Sequence, residues 1–83
     1  MNIFIANLHP STKKEDLELL FSKFGNVISA KVIFDKQTGN SKRYGFVEFN
    51  TQDEVDEAVK QLNDTEFQGN KIIVKVSEPK PKN

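Results

Sequence analysis

The sequence predicts an α+β domain, a β-α-β-β-α-β two-layer sandwich with a four-stranded antiparallel sheet and two helices on one face. Three observations carry this. Four segments, starting near residues 2, 27, 41 and 71, alternate side chains at the two-residue period of a strand. Two others repeat apolar residues at i, i+3, i+4 and i+7, so each helix is apolar along one stripe. Each helical stretch opens on a threonine followed three residues later by a glutamate, the capping-box spacing. A helix with one apolar side must bury it, and four strands beneath two such helices make two layers.

The first strand, NIFIANL (2–8), turns Ile3, Ile5 and Leu8 inward and Phe4 and Ala6 outward. His9-Pro10 breaks it, and His9, the only histidine, reads as a turn residue. Thr12 and Glu15 cap the first helix, whose stripe is Leu17, Leu20, Phe21 and Phe24, with Gly25 as its left-handed stop. A second strand over 27–34 places Ala30, Val32 and Phe34 on one side, and Ser29, Lys31 and Ile33 on the other. Phe34 is expected to pack in the core under the following loop. That loop, DKQTGNS (35–41), is built of turn-forming residues.

The third strand, SKRYGFVEF (41–49), carries rings on both faces. The helices claim the face of Gly45, Val47 and Phe49, which leaves Tyr44 and Phe46 on the open one. Thr51 and Glu54 cap the second helix, with the stripe Val55, Ala58, Val59 and Leu62 and a stop at Asn63-Asp64. Phe67 tucks toward the core before a bend at Gly69-Asn70. A fourth strand over 71–77 turns Ile72, Val74 and Val76 inward against Lys71, Ile73, Lys75 and Ser77. Residues 1–78 therefore form one domain, and 79–83 a flexible basic tail without an apolar residue. The crossover handedness rule puts the first and third strands together at the sheet centre. Phe4, Tyr44 and Phe46 then cluster on an exposed platform.

A chain of 83 residues holds one modest core. It has no cysteine, which excludes disulfides and thiolate metal sites. No apolar run reaches the roughly 18 residues of a membrane helix. Zero net charge hides polarity: the helical segments carry seven acids to four bases, and the remainder eight bases to five acids. Lys31 and Lys75 should flank the platform, with Glu48 on the same face. An enzyme needs a nucleophile, an acid–base pair or a phosphate cradle. With one isolated histidine, no glycine-rich loop and no metal-ligand cluster, neither catalysis nor a cofactor or small-molecule substrate is expected.

KRYGFVEF (42–49) resembles the octamer motif of the RNA recognition motif family, K/R-G-F/Y-G/A-F-V-x-F/Y. IFIANL (3–8) resembles that family's hexamer motif, and the resemblance extends over about 2–77, within the ferredoxin-like arrangement. It implies a single-stranded RNA-binding module, with single-stranded DNA able to use the same platform. By that resemblance Phe4 and Phe46 stack successive bases, Tyr44 packs against the sugars between them, and Lys42 pairs with a phosphate. Asn7 fixes the backbone after the first strand. Lys31, Lys75, Arg43 and Ser77 complete the expected contacts, and the segment from Ser77 to Lys82 is a candidate to fold over the sheet. Arg43 departs from the pattern, which has Gly there. If extended, Arg43 points away from Tyr44 and packs over the sheet edge; the alternative is a phosphate contact.

A single such domain resembles the small RNA-binding proteins of bacteria, expected to be cytoplasmic and monomeric. A domain of a longer eukaryotic protein would read the same and be nuclear. The alternative function is a protein-interaction module using the acidic second helix, around Asp53 to Glu57, or the sheet face.

Overall fold

Strand β1 (Asn2–Ala6) and strand β3 (Ser41–Phe49) lie side by side at the centre of a four-stranded antiparallel sheet. Strand β2 (Val27–Phe34) forms the edge beside β3. The other edge, beside β1, is taken by the last strand, Ile73–Ser77. The structure, a computed structural model, describes residues 2–77, so the expected tail at 79–83 lies outside the described residues. Helices α1 (Lys14–Phe21) and α2 (Gln52–Leu62) connect the strands. A two-residue hairpin of β4 (Glu66–Phe67) and β5 (Asn70–Lys71) precedes the last strand, here β6. No helix among the described residues is long and apolar enough to cross a membrane.

The core follows the alternation. Ile3, Ile5, Val47, Phe49 and Val74 are buried beneath Leu17, Phe21, Val55, Ala58 and Leu62 of the helices. Leu8 and Ile72, just outside the strands, are fully buried as well. Phe21 and Phe49 meet across the layers, ring centroids 6.1 Å apart.

Helix α2 starts as the capping box predicts. Thr51 Oγ1 accepts the Glu54 N–H at 3.3 Å, and Glu54 Oε1 accepts the Thr51 N–H at 3.1 Å. The other Glu54 oxygen reaches across the molecule to accept the Asn26 N–H at 3.1 Å. That bond to Asn26, reinforced by those to Thr51, holds the Glu54 carboxyl below the ordinary 4.5 of a glutamate. A carboxylate whose folded pKa is lowered stabilises the fold above its unfolded pKa, and the contribution disappears as pH falls through the folded value. Glu54→Gln should therefore melt lower than the parent at neutral pH. The difference should shrink as pH drops below about 4.5, which melts at a series of pH values would read.

Helix α1 starts one residue later than the Thr12–Glu15 spacing suggests. Its first bond of this kind is from the Lys13 N–H to Asp16 Oδ2, at 2.9 Å. Thr12 is fully buried, and its hydroxyl donates instead to Gln68 Oε1 in the β4–β5 turn. A long-range latch has replaced the local cap. The helix also ends at Phe21, not at Gly25, and Gly25 is not left-handed. A Cβ at Gly25 would collide with the Glu54 carboxyl, so close packing is what glycine provides there.

Two inward expectations fail at strand ends. Phe34 is 47% exposed, not packed in the core: the pairing of β2 with β3 shifts between Val32 and Phe34, turning the last ring out beside Lys13 and Lys14. Val76 is 44% exposed, near the end of an edge strand with sheet on one side only. The expected fourth strand is also interrupted. The Ile72 N–H donates to Thr65 and its carbonyl accepts from Asp64, so Lys71 pairs within the small hairpin and β6 begins at Ile73. Gln68 and Gly69, at φ 54° and 85°, make the tight turn of that hairpin.

Candidate nucleic-acid interface

Residues opposite each other in an antiparallel pair share a face, so the strand register fixes which side chains meet on the open side of the sheet. Phe4 faces Phe46 on β3 and Lys75 on β6, and Phe46 faces Lys31 on β2. One row therefore reads Lys31, Phe46, Phe4, Lys75 across all four strands, roughly 14 Å long at ordinary strand spacing. The next row holds Tyr44, Ala6 and Ile73. On the other side stand Ser29, Glu48, Asn2 and Ser77, with Ser29 Oγ 3.3 Å from Glu48 Oε1.

The three rings form one cluster. Phe4 lies 5.7 Å from Tyr44 and 5.6 Å from Phe46, and Tyr44 meets Phe46 edge-on at 6.3 Å. All three are half-buried, held by their neighbours with area still open to solvent. Lys31 Nζ sits 5.9 Å from the Phe46 ring centre, a cation–π arrangement. Bases in a continuous stack are about 3.4 Å apart. The centroids of Phe4 and Phe46 are 5.6 Å apart and their planes 55° askew, so bases covering both must be splayed. The surface fits unpaired bases, whose faces are available, better than a duplex.

The sheet that carries the rings depends on Gly45, which is buried on its core face. A Cβ there would fall well inside van der Waals contact of the Lys31 carbonyl oxygen and 3.2 Å from Val32 Cα. Both obstacles are backbone, so β2 would have to move away. Gly45→Ala should cost roughly 1–3 kcal/mol, the usual range for overpacking, and should weaken the Lys31–Phe46 contact. Denaturant melts and the Lys31 side-chain NMR shifts would test both effects.

The alternation turns each of these residues outward, and the register brings Phe4, Tyr44, Phe46, Lys31 and Lys75 together. Ser77 is half-buried in the polar row, two positions along the strand from Lys75. Lys42 and Arg43 are exposed at the start of β3. Arg43 is not extended: its φ is 65°, and the left-handed step breaks the alternation, so parity does not assign Lys42 a face. Asn7, at φ 61°, holds the chain after β1 as expected. Its Nδ2 donates to the Lys71 carbonyl at 2.7 Å, and its own carbonyl accepts from Asn70 at 3.2 Å. Ile73, 39% exposed beside Ala6, extends the apolar surface past Tyr44. Alternation alone turns Ile73 outward without giving it a role, and only the pairing with Ala6 puts it next to the rings.

Known proteins share this fold. The family model described as RNA recognition motif matches residues 3–73. A crystal structure of an RNA binding protein named PG1 is 43% identical, with a TM-score of 0.92 over 99% of each chain. An Rna15 RNA recognition domain solved with bound RNA (GU) is 29% identical, with a TM-score of 0.83 over 94% of this chain and 83% of that one. The peptidyl-prolyl cis-trans isomerase cyp6 of Schizosaccharomyces pombe is 41% identical over 92% of this chain, which is 18% of its own length. The chain spans between 10% and 18% of the curated relatives it matches. The family is a non-enzymatic RNA-binding fold, and the isomerases carry the matched segment as a small part of longer chains. The family model spans most of the chain and the fold agrees with the solved structures: the chain belongs to the RNA recognition motif family.

Proposed function

We propose that this chain binds single-stranded RNA across the open face of its sheet. Bases stack on Phe4 and Phe46, a sugar packs on Tyr44, and Lys31 and Lys75 hold phosphates at the two ends of the row. Lys42 adds a phosphate contact at the start of β3, and Ser77 a polar one from β6. The observation that carries this is the row Lys31, Phe46, Phe4, Lys75, which puts two stacking rings between two cations. Aromatic stacking contributes roughly 1–3 kcal/mol per base and tolerates sequence, since every base has a π face. A few phosphate contacts on a chain of zero net charge imply a modest salt dependence. Single-stranded DNA offers the same faces and phosphates and should use the same surface. The reading is of binding without chemistry.

An amide-shift NMR titration with a pool of random short single-stranded RNAs at low salt tests it. Shifts concentrated at Phe4, Lys31, Tyr44, Phe46 and Lys75 are expected. An unperturbed sheet face would overturn the proposal and direct attention to a protein partner for the acidic helix α2.

A further inference from the structure

Among the described residues, four other than glycine adopt positive φ: Asn7, Arg43, Asp64 and Gln68. Three have an evident reason. Asn7 and Gln68 anchor distant segments through their side-chain amides, to Lys71 and Thr12 respectively. Asp64 is of a residue type that enters this region readily. Arg43 has neither reason. Its φ of 65° lies where a Cβ crowds the neighbouring carbonyl and glycine sits without penalty. Its surroundings nevertheless hold it there. The Arg43 N–H donates to Ser41 Oγ at 2.9 Å, and its carbonyl accepts the Leu8 N–H at 2.9 Å. The side chain is exposed, and among the described residues the guanidinium has no hydrogen bond or ion pair. Among the described residues, the strain is thus offset by no hydrogen bond or ion pair of the side chain that causes it.

The backbone bonds explain how the conformation is held but not why arginine occupies it, and strained backbone of this kind clusters at ligand-binding positions. Arg43 immediately precedes Tyr44 and follows Lys42, at the end of the aromatic cluster. We infer that Arg43 is a phosphate-binding residue retained at a cost in stability, its guanidinium engaging a phosphodiester of the strand that lies on Tyr44. The planar fork of donors suits two phosphate oxygens at once. The inference rests on the RNA-binding reading above, and extends it to a position where glycine would give a more stable domain.

The test compares the parent, Arg43→Gly and Arg43→Lys in thermal melts and in binding of a short random-sequence single-stranded RNA over a range of salt. Arg43→Gly should melt higher by about 4 °C yet bind roughly tenfold more weakly. Its salt slope should fall by about 0.7, the value for one phosphate on a single strand. Arg43→Lys keeps both the strain and the charge, so it should melt with the parent and retain most low-salt affinity. Arg43→Gly binding as tightly as the parent, or melting no higher, overturns the inference. So does weaker binding with an unchanged salt slope, which would assign Arg43 to a base edge. If the parent itself bound no RNA, the RNA reading would fail first; a parent that binds and loses affinity on Phe46→Ala isolates the role of Arg43.

Discussion

Phe21→Ala is expected to destabilise the domain by roughly 3–5 kcal/mol, the usual cost of removing a buried phenylalanine. The ring is fully buried on the last turn of α1 and meets Phe49 of β3 at 6.1 Å, so it joins the helix layer to the sheet. The cost combines lost transfer free energy with a cavity whose lining comes from two layers and cannot collapse from one side. A domain of 83 residues has a total stability of about 4–12 kcal/mol, so the variant would stand near the limit of folding. Urea denaturation followed by circular dichroism reads this directly. Phe34→Ala is the control: that ring is 47% exposed, and its loss should cost less than about 1 kcal/mol. Equal losses in the two variants would mean that Phe34 is a core residue after all and that the end of β2 turns inward.

The same contrast shows which features of the fold were legible in the chain. The faces of β1 and β3 followed from alternation alone. A period of two leaves only one choice of face once the helices claim Val47 and Phe49. Strand order followed from chirality. Most of the failures sit where pairing or bonding to another segment overrides a local rule. Thr12 has the spacing of a cap, yet its hydroxyl is used by Gln68, 56 residues away. Phe34 has the parity of a core residue, but a shift in pairing at the strand end reverses it. Ile72 lies within an alternating run, while its backbone is taken up by Asp64 and Thr65. Arg43 violates a conformational preference, and no local pattern announces a residue held left-handed by bonds to Ser41 and Leu8.

The platform was legible for a different reason. Exposed rings at Phe4, Tyr44 and Phe46 have no use in a core, and their presence on a solvated face calls for a partner. What the sequence lacked was the row. That Lys31 and Lys75 lie in line with Phe46 and Phe4 depends on register, which is set by the whole sheet.

Phe46→Ala is the substitution that separates binding from folding. It should weaken RNA binding by about 1–3 kcal/mol, or between fivefold and two-hundredfold, through the loss of one stacking surface. The fold should lose about 1 kcal/mol or less, because the ring is half-buried among Phe4, Tyr44 and Lys31 and belongs to no helix contact. Phe4→Ala should behave alike. The two losses should not add, since the rings touch and each orients the other. Salt dependence then distinguishes the terms. Stacking carries no counterion, so Phe46→Ala should leave the slope of affinity against salt unchanged, whereas Lys31→Ala should reduce it. Fluorescence anisotropy over a range of salt, beside melts of the same proteins, gives every quantity needed. Unfolding of Phe46→Ala at room temperature would mean that the core lies on the other face of the sheet. Undiminished affinity in a folded Phe46→Ala would mean that the rings are not where the bases stack.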